Sequence, residues 1–233
     1  MKGRLVSRAE LSVRDRSAML ALLQSSFEGA TPAVFERDLA EKDWALLLED
    51  EQGLLRGFST LILYASEASG EPVTVVYSGD TVVERGAWGS SALSRSWIGA
   101  VRTLASERPG HRVFWLLLTS GFRTYRFLPV FWREFHPRSG AAMPDAQRRL
   151  DALARERFGD RYRDGIVRLD APEPLRPALR EVPESRLGSP DVAFFLARNP
   201  GWREGDELAC LTEICPENLT AAGRRMWRAG LSP

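Results

Sequence analysis

One carboxylate interrupts a stretch of sequence that is otherwise apolar. Asp80 lies in Ser78-Gly79-Asp80-Thr81, with valine-rich segments on both sides. A charged side chain inside an apolar strand is costly unless it is paired or faces a cleft. A carboxylate in a cleft can act as a general base, which removes a proton from a reacting group. The alternative is structural, with Asp80 fixing a local bulge through hydrogen bonds to backbone amides.

The residues that follow have the composition of an anion site. Residues 85–91 form a glycine-containing turn between a predicted strand and a helical pattern, in which Leu93, Trp97 and Val101 recur at four-residue steps. Free N–H groups in such a turn and in the first turn of a helix bind anions, including phosphate. Arg85 adds a guanidinium that can offset phosphate charge. Its alternative is an ordinary surface arginine.

This order of strand, turn and helix resembles the acyl-CoA-binding core of the GNAT superfamily of N-acyltransferases. In that family a splayed strand precedes the motif Gln/Arg-x-x-Gly-x-Gly/Ala, whose amides hold the pyrophosphate of coenzyme A. The matching stretch is Arg85-Gly86-Ala87-Trp88-Gly89-Ser90, in which the arginine is present and the next glycine comes one position late. The resemblance in element order covers residues 11–136. It implies cofactor contacts from Val82, Val83, Arg85, Gly86, Trp88, Gly89, Ser90 and Ser91.

The resemblance also implies two groups that move protons. In GNAT enzymes a carboxylate near the central strand often serves as base, and a tyrosine after the next strand serves as acid. Asp80 corresponds to the base and Tyr125, which follows the apolar segment 113–118, to the acid. Tyr77 is a second candidate for the acid, and a core aromatic is the alternative reading of Tyr125. The donor is open between acetyl-CoA, a longer acyl-CoA and a carrier-protein thioester, and no metal is implied.

Hydrophobic patterns and the same resemblance predict an α/β (α+β) fold, GNAT-like, with a mixed, mostly antiparallel central sheet flanked by helices. The order β, α, α, β, β, β, α, β, α is expected over residues 5–136. Helices and a strand within 144–229 are expected to complete this sheet. Residues 1–233 are therefore predicted to form a single GNAT-like domain.

Three local features refine this expectation. Asp15 is expected to cap the first helix, and Thr31-Pro32 to begin the second. A glycine inside a strand pattern often marks a bulge, so Gly79 predicts a gap beside the central strand. A dense aromatic group either packs in the core or lines a tunnel for a long acyl chain; its members are Phe122, Phe127, Phe131, Trp132 and Phe135.

The composition excludes several classes of function. The net charge of +1 predicts neither a nucleic-acid partner nor a membrane-surface partner. Two cysteines are too few for a disulfide framework or a zinc site, and no apolar run approaches the roughly 20 residues of a membrane span. The glycine motifs of dinucleotide-binding proteins and P-loop proteins do not occur, nor does the nucleophile elbow of hydrolases. We therefore expect a cytoplasmic protein.

Two functions remain. The first is a transferase of GNAT type, which moves an acyl group from acetyl-CoA or another thioester to a small-molecule amine. The second is a catalytically inactive GNAT-like module for ligand binding or interaction, which the shifted glycine motivates. An acyl carrier protein as partner and a homodimer as assembly are left open.

Overall fold

The computed structural model describes residues 1–108, 110–140 and 143–230, so the predicted limits 1–233 extend past the described C-terminal residues. Among the described residues one eight-stranded sheet has the order β1-β2-β3-β4-β5-β8-β7-β6. Its β4 and β5 are parallel, and the other neighbouring pairs are antiparallel. The predicted mixed, mostly antiparallel fold is confirmed. The strands are β1 (Lys2–Ser7), β2 (Trp44–Glu49), β3 (Leu55–Ser66), β4 (Val73–Val83), β5 (Arg112–Thr119), β6 (Tyr162–Arg163), β7 (Ile166–Val167) and β8 (Glu207–Glu213).

The helices follow the predicted order. Capping residues set the starts of the first two. The first helix begins at Val13 and not after Asp15, because Ser12 is the cap: its Oγ accepts a hydrogen bond of 3.1 Å from the Asp15 amide. Thr31 caps the second helix as predicted. The helices are α1 (Val13–Ser26), α2 (Pro32–Ala40), α3 (Ala92–Ser106), α4 (Phe122–Tyr125), α5 (Phe127–Phe131), α6 (Pro144–Phe158), α7 (Glu184–Leu187), α8 (Pro190–Arg198) and α9 (Ala221–Ala229).

The sheet carries an apolar core on each face. On one face α3 packs against the strands, and the ring centroids of Trp97 and Trp115 are 4.0 Å apart. On the other face α1 and α2 cover the N-terminal strands, and α6 covers the middle of the sheet. Side chains of a strand alternate between faces, so Val76 belongs to the α3 face while Tyr77 contacts Phe158 of α6. The C-terminal end of β4 thus lies between two helical layers.

The aromatic group after β5 belongs to the α3 face. Phe122, Trp132 and Phe135 are buried in its core, and the Phe127 ring packs 5.8 Å from Trp115. This packing corresponds to the core alternative of the sequence analysis rather than to an acyl tunnel.

Candidate active site

The gap predicted beside Gly79 is present. Parallel pairing of β4 with β5 ends at Ser78 and Leu117, although β4 continues to Val83. On its other side β5 pairs with β8, and this pairing continues past Leu117 as far as Thr119. Residues 79–83 therefore have β3 on one side and, within the described part of the chain, no strand on the other. A backbone edge without a strand partner can accept an extended ligand as an additional strand.

A bulge in β4 lies where this open edge begins. Ser59 pairs with Thr81 and Leu61 with Ser78, so Gly79 and Asp80 together face a single residue of β3. A Cβ atom at Gly79 would overlap Cε of Lys42, which crosses the backbone at this point. The glycine is therefore required by the close approach of the Lys42 side chain.

Asp80 is partly buried and lies among charged side chains. Burial raises the pKa of its carboxyl to about 6, Lys42 opposes this rise, and Asp38 adds to it. Lys42 is only 7% exposed, and its Nζ donates a hydrogen bond of 2.9 Å to the Asp38 carbonyl oxygen. Burial lowers the pKa of Lys42, and the Asp80 charge opposes that change. The sequence pattern did not single out Lys42, because nothing near it in the chain marks it as a partner of Asp80.

Two further carboxylates lie near enough to Asp80 for its charge to raise their pKa values, and neither was predicted. Glu207, the first residue of β8, accepts a hydrogen bond from Ser120 Oγ. Its pKa is raised to about 7, first by burial and then by Asp80 and Glu173. Burial together with Asp80 raises the pKa of Glu173 to about 7, and its Oε1 is buried without a partner among the described residues. We call Asp80, Glu173 and Glu207 the acidic cluster.

Glu173 is carried to this position by a segment that crosses the open end of the gap. This strap, residues 172–176, runs from the start of β8 to the end of α1. Pro172 packs against Gly205, and Leu175 packs against Gly121 after β5. At the other end, backbone hydrogen bonds of 2.9 Å join the strap to Ser26 and Glu28. The strap therefore closes the gap on the side of the acidic cluster.

Tyr77 and Tyr125, the two candidate acids, have different surroundings. Tyr77 is on β4, with the Lys42 Nζ 5.8 Å from its ring centroid, and its pKa is raised by burial and then by Glu207 and Asp80. Tyr125 is 1% exposed, packs on Phe194, and donates a hydrogen bond of 3.0 Å to the Pro137 carbonyl oxygen. Burial raises its pKa too, but its charged neighbours are Asp191 and Arg138 and not the acidic cluster. The structure thus places Tyr77 in the site and gives Tyr125 the surroundings of a core residue.

The predicted phosphate loop is exposed, and some of its backbone amides already donate local hydrogen bonds. Amides of Ala87, Trp88 and Ser90 donate to carbonyl oxygens within the loop. The Ser90 Oγ accepts from the Ala92 amide at 3.1 Å, at the start of α3. The backbone amides of Gly86, Gly89 and Ser91 make no hydrogen bond to any described residue. These amides have the donor capacity that a phosphate group requires.

Two arginines flank Trp88 in this loop. The guanidinium carbon of Arg123 lies 4.6 Å from the Trp88 ring centroid and that of Arg85 lies 5.9 Å away. The pKa of Arg123 is lowered by burial and by the neighbouring Arg85 charge. Within the described ranges, neither guanidinium has a carboxylate oxygen within 4.0 Å. This side of the gap is therefore electropositive.

Val82 and Val83, predicted to meet the pantetheine arm, end β4 along the open edge. The Glu84 amide donates to Arg56 of β3, so the adjacent Val83 carbonyl faces the gap. Trp88 Nε1 donates a hydrogen bond of 2.8 Å to this carbonyl. The edge is thus open to a strand but carries one side-chain contact at its end.

Comparisons with known proteins found similar solved structures but no similar sequence. No protein-family model matches the sequence, and no curated protein is similar to it in sequence. Among solved structures, the chain is similar to the GNAT family N-acetyltransferase YhbS from Escherichia coli in complex with CoA, with 20% identity and a TM-score of 0.41 over 55% of this chain and 68% of that one.

Two other structures show similar values. The acetyltransferase from Trypanosoma brucei has 16% identity and a TM-score of 0.43 over 61% of this chain and 99% of that one. An aminoglycoside 6'-N-acetyltransferase complexed with coenzyme A has 11% identity and a TM-score of 0.43, over 91% of this chain and 98% of that one. At these values the likeness carries no information on activity. The GNAT-like character of the fold rests on the chain's own strand order and on the gap between β4 and β5.

Two further observations bear on the sequence expectations. Among the described residues, no group of three or more His, Cys, Asp or Glu side chains has a geometry that could hold a metal ion. In the same part of the chain, no helix has both the length and the apolar character needed to cross a bilayer.

Proposed function

We propose that this protein is an N-acyltransferase that moves an acyl group from a CoA-type thioester to an amine. The observation that carries the proposal is the edge of β4 over residues 79–83, which pairs with no described strand, with the partly buried carboxylate of Asp80 where it begins. An extended thioester donor added along this edge has its acyl end beside Asp80. The amine that attacks the thioester must lose a proton there, and a carboxylate with a pKa of about 6 accepts protons at neutral pH.

The donor fits the electropositive side of the gap. Its pantetheine arm runs along Thr81, Val82 and Val83, and its phosphates meet the amides of Gly86, Gly89 and Ser91 together with the charges of Arg85 and Arg123. Backbone amides at the start of a helix and guanidinium groups both favour phosphate.

The acceptor fits the opposite side, where the acidic cluster lies. Three carboxylates attract an ammonium group, and deprotonation of that group is required before the nitrogen can attack. Asp80 takes one proton, directly or through water, and the departing sulfur receives another. Tyr77 is the tyrosine whose charged neighbours include Asp80. Its raised pKa keeps the hydroxyl protonated, so Tyr77 is the candidate that supplies this second proton. Positioning of the two substrates across the gap supplies the rest of the rate increase.

Calorimetry and a thiol-release assay test this proposal together. Purified protein is titrated with CoA and acetyl-CoA, and thiol release is then followed with acetyl-CoA, a longer acyl-CoA and an acylated carrier protein. The acceptor panel contains amino acids, polyamines and aminoglycosides. Binding of a thioester, and thiol release that depends on an amine, are expected. Absence of binding to CoA and to every thioester donor overturns the proposal.

A second function, ligand binding without transfer, is favoured by the contact between Trp88 and Val83 and by the strap across the gap. Its distinguishing result is binding of CoA together with no thiol release for any donor and acceptor pair.

A further inference from the structure

The side chain of Lys42 lies where the acyl end of a donor would come to rest. It extends from the connection between α2 and β2 and crosses Gly79, where the open edge of β4 begins. Its Nζ is 3.3 Å from the position that a Cβ atom of Gly79 would take. Thr60 Oγ1, which is buried without a partner among the described residues, lines the same position at 2.7 Å. A primary amine of the protein is thus built into the gap.

Burial disfavours the charged form of this amine more strongly than the charges of Asp80, Glu41 and Asp38 favour it. Its one hydrogen bond among the described residues goes to the Asp38 carbonyl oxygen, and no carboxylate oxygen in that part of the chain lies within 4.0 Å of it. Burial lowers the pKa of Lys42. A larger share of its neutral form is therefore present at a given pH, and only the neutral amine is a nucleophile.

We propose that Lys42 is itself an acyl acceptor, so that the protein acylates its own Lys42 from the bound thioester. This inference rests on the proposed function, because it needs the donor to bind along β4. Nζ attacks the thioester carbonyl carbon, a carbon–nitrogen bond forms, and the carbon–sulfur bond breaks. The proton lost by nitrogen goes to Asp80 or to the departing sulfur, so the products are free CoA and an uncharged amide at Lys42.

The chain provides its own control, since Lys2 is the one other lysine in the sequence. Lys2 lies on β1, at the edge of the sheet away from β5, and is exposed. Chemical acylation without a binding site favours the exposed Lys2. Acylation directed by the bound donor favours the buried Lys42, because a donor held beside the amine has a high effective concentration.

The test is a time course of the wild-type protein with acetyl-CoA and no other amine, followed by peptide mass spectrometry of both lysines. Modification of Lys42 is expected at least about tenfold faster than modification of Lys2. Acetyl phosphate, a donor without CoA, is expected to reverse this order. Asp80→Asn is expected to slow the reaction at Lys42 and to leave Lys2 unaffected. In Lys42→Met, a side chain of similar length without an amine, only the slow reactions at Lys2 and at the N-terminus remain.

The outcomes separate this inference from the proposed function. Thiol release with an external amine and an unmodified Lys42 overturns the inference and leaves the transferase intact. Equal or faster modification of Lys2 with acetyl-CoA also overturns it. Failure of CoA and of every thioester donor to bind in calorimetry removes both.

Discussion

The indole nitrogen of Trp88 donates a hydrogen bond of 2.8 Å to the carbonyl oxygen of Val83, the last residue of β4. This carbonyl belongs to the edge that no strand of residues 1–108, 110–140 or 143–230 covers, and it is one of the groups that the proposed pantetheine arm would pair with. The indole therefore occupies a position that the donor needs. Because Trp88 is 39% exposed and lies in a loop, its displacement does not disturb the core.

The first prediction concerns this indole. Trp88→Phe keeps an aromatic ring beside Arg123 and removes the N–H donor. If the donor competes with the indole, CoA is expected to bind to the variant about fivefold more tightly, which corresponds to one hydrogen bond of about 1 kcal/mol. Calorimetry with CoA measures the change.

Trp227→Phe is the matched control, since it removes an indole on α9 and not in the loop. Its affinity for CoA is expected to equal that of the wild type. Weaker binding to Trp88→Phe would mean that the indole supports the ligand and does not compete with it.

The second prediction concerns the protonation of the acidic cluster. The base must be ionised, so kcat/KM is expected to rise with pH and to level off above the apparent pKa values of the cluster, between about 6 and about 7. These values belong to the coupled cluster and not to one residue. Asp80→Asn is expected to lower kcat/KM by roughly 10²–10⁴. Asp160→Asn, at an exposed position, is the control, and full activity of Asp80→Asn would exclude the base role.

The third prediction concerns the stability of the fold. The pKa of Glu207 is raised from 4.5 to about 7 on folding, so the folded state holds its proton more tightly than the unfolded chain. Its contribution to the free energy of unfolding therefore falls as pH rises through this window. Glu207→Gln keeps an oxygen for Ser120 and removes the charge. The free energy of unfolding of this variant is expected to equal that of the wild type at pH 4 and to exceed it at pH 8 by on the order of 2 kcal/mol.

Thermal unfolding at both pH values measures this effect. Glu107→Gln, at the exposed end of α3, is the control and is expected to give equal differences from the wild type at the two pH values. A destabilised Glu207→Gln at pH 8 would show that the ionised carboxylate is paired in the folded protein.

The fourth prediction separates the two tyrosines. Tyr125→Phe leaves the Pro137 carbonyl without its buried donor, so the free energy of unfolding is expected to fall by about 1 kcal/mol while thiol release stays unchanged. Tyr77→Phe is expected to lower kcat and to flatten its decline at high pH. The reverse result, loss of kcat in Tyr125→Phe alone, would restore the acid role that the resemblance implies for Tyr125.

Much of the fold could be predicted because it depends on local signals. The helix Pro144–Phe158 begins the segment 144–229 in which helices were expected, and the bulge at Gly79 follows from a glycine inside a valine-rich strand. The cap of α1 was misassigned because Ser12 and Asp15 satisfy each other, and only the position of the first helical turn shows which of them is the cap.

The composition of the site could not be predicted in the same way. Asp80 was found because its charge breaks an apolar strand pattern. Lys42 and Glu207 lie beside other charged residues, and Glu173 lies between two prolines outside any strand pattern, so none of them carries such a contrast. Glu207 and Glu173 approach Asp80 because β8 inserts beside β5 and the strap crosses the gap, and Lys42 does so because β2 pairs with β3. These are long-range pairings without a local sequence signal. The Ser120 contact to Glu207 depends on the same pairing.

The strap has a consequence for how this chain can change over time. The groups proposed to hold the donor come from residues 81–91 and Arg123, whereas Glu173 and Glu207 come from the last third of the chain. In the proposed transferase, substitutions in the strap can therefore change which amine binds without altering the residues proposed to hold the thioester. Changes at residues 172–174, which lie outside the hydrophobic core clusters, give the proposed transferase access to a new acceptor preference without repacking either hydrophobic layer.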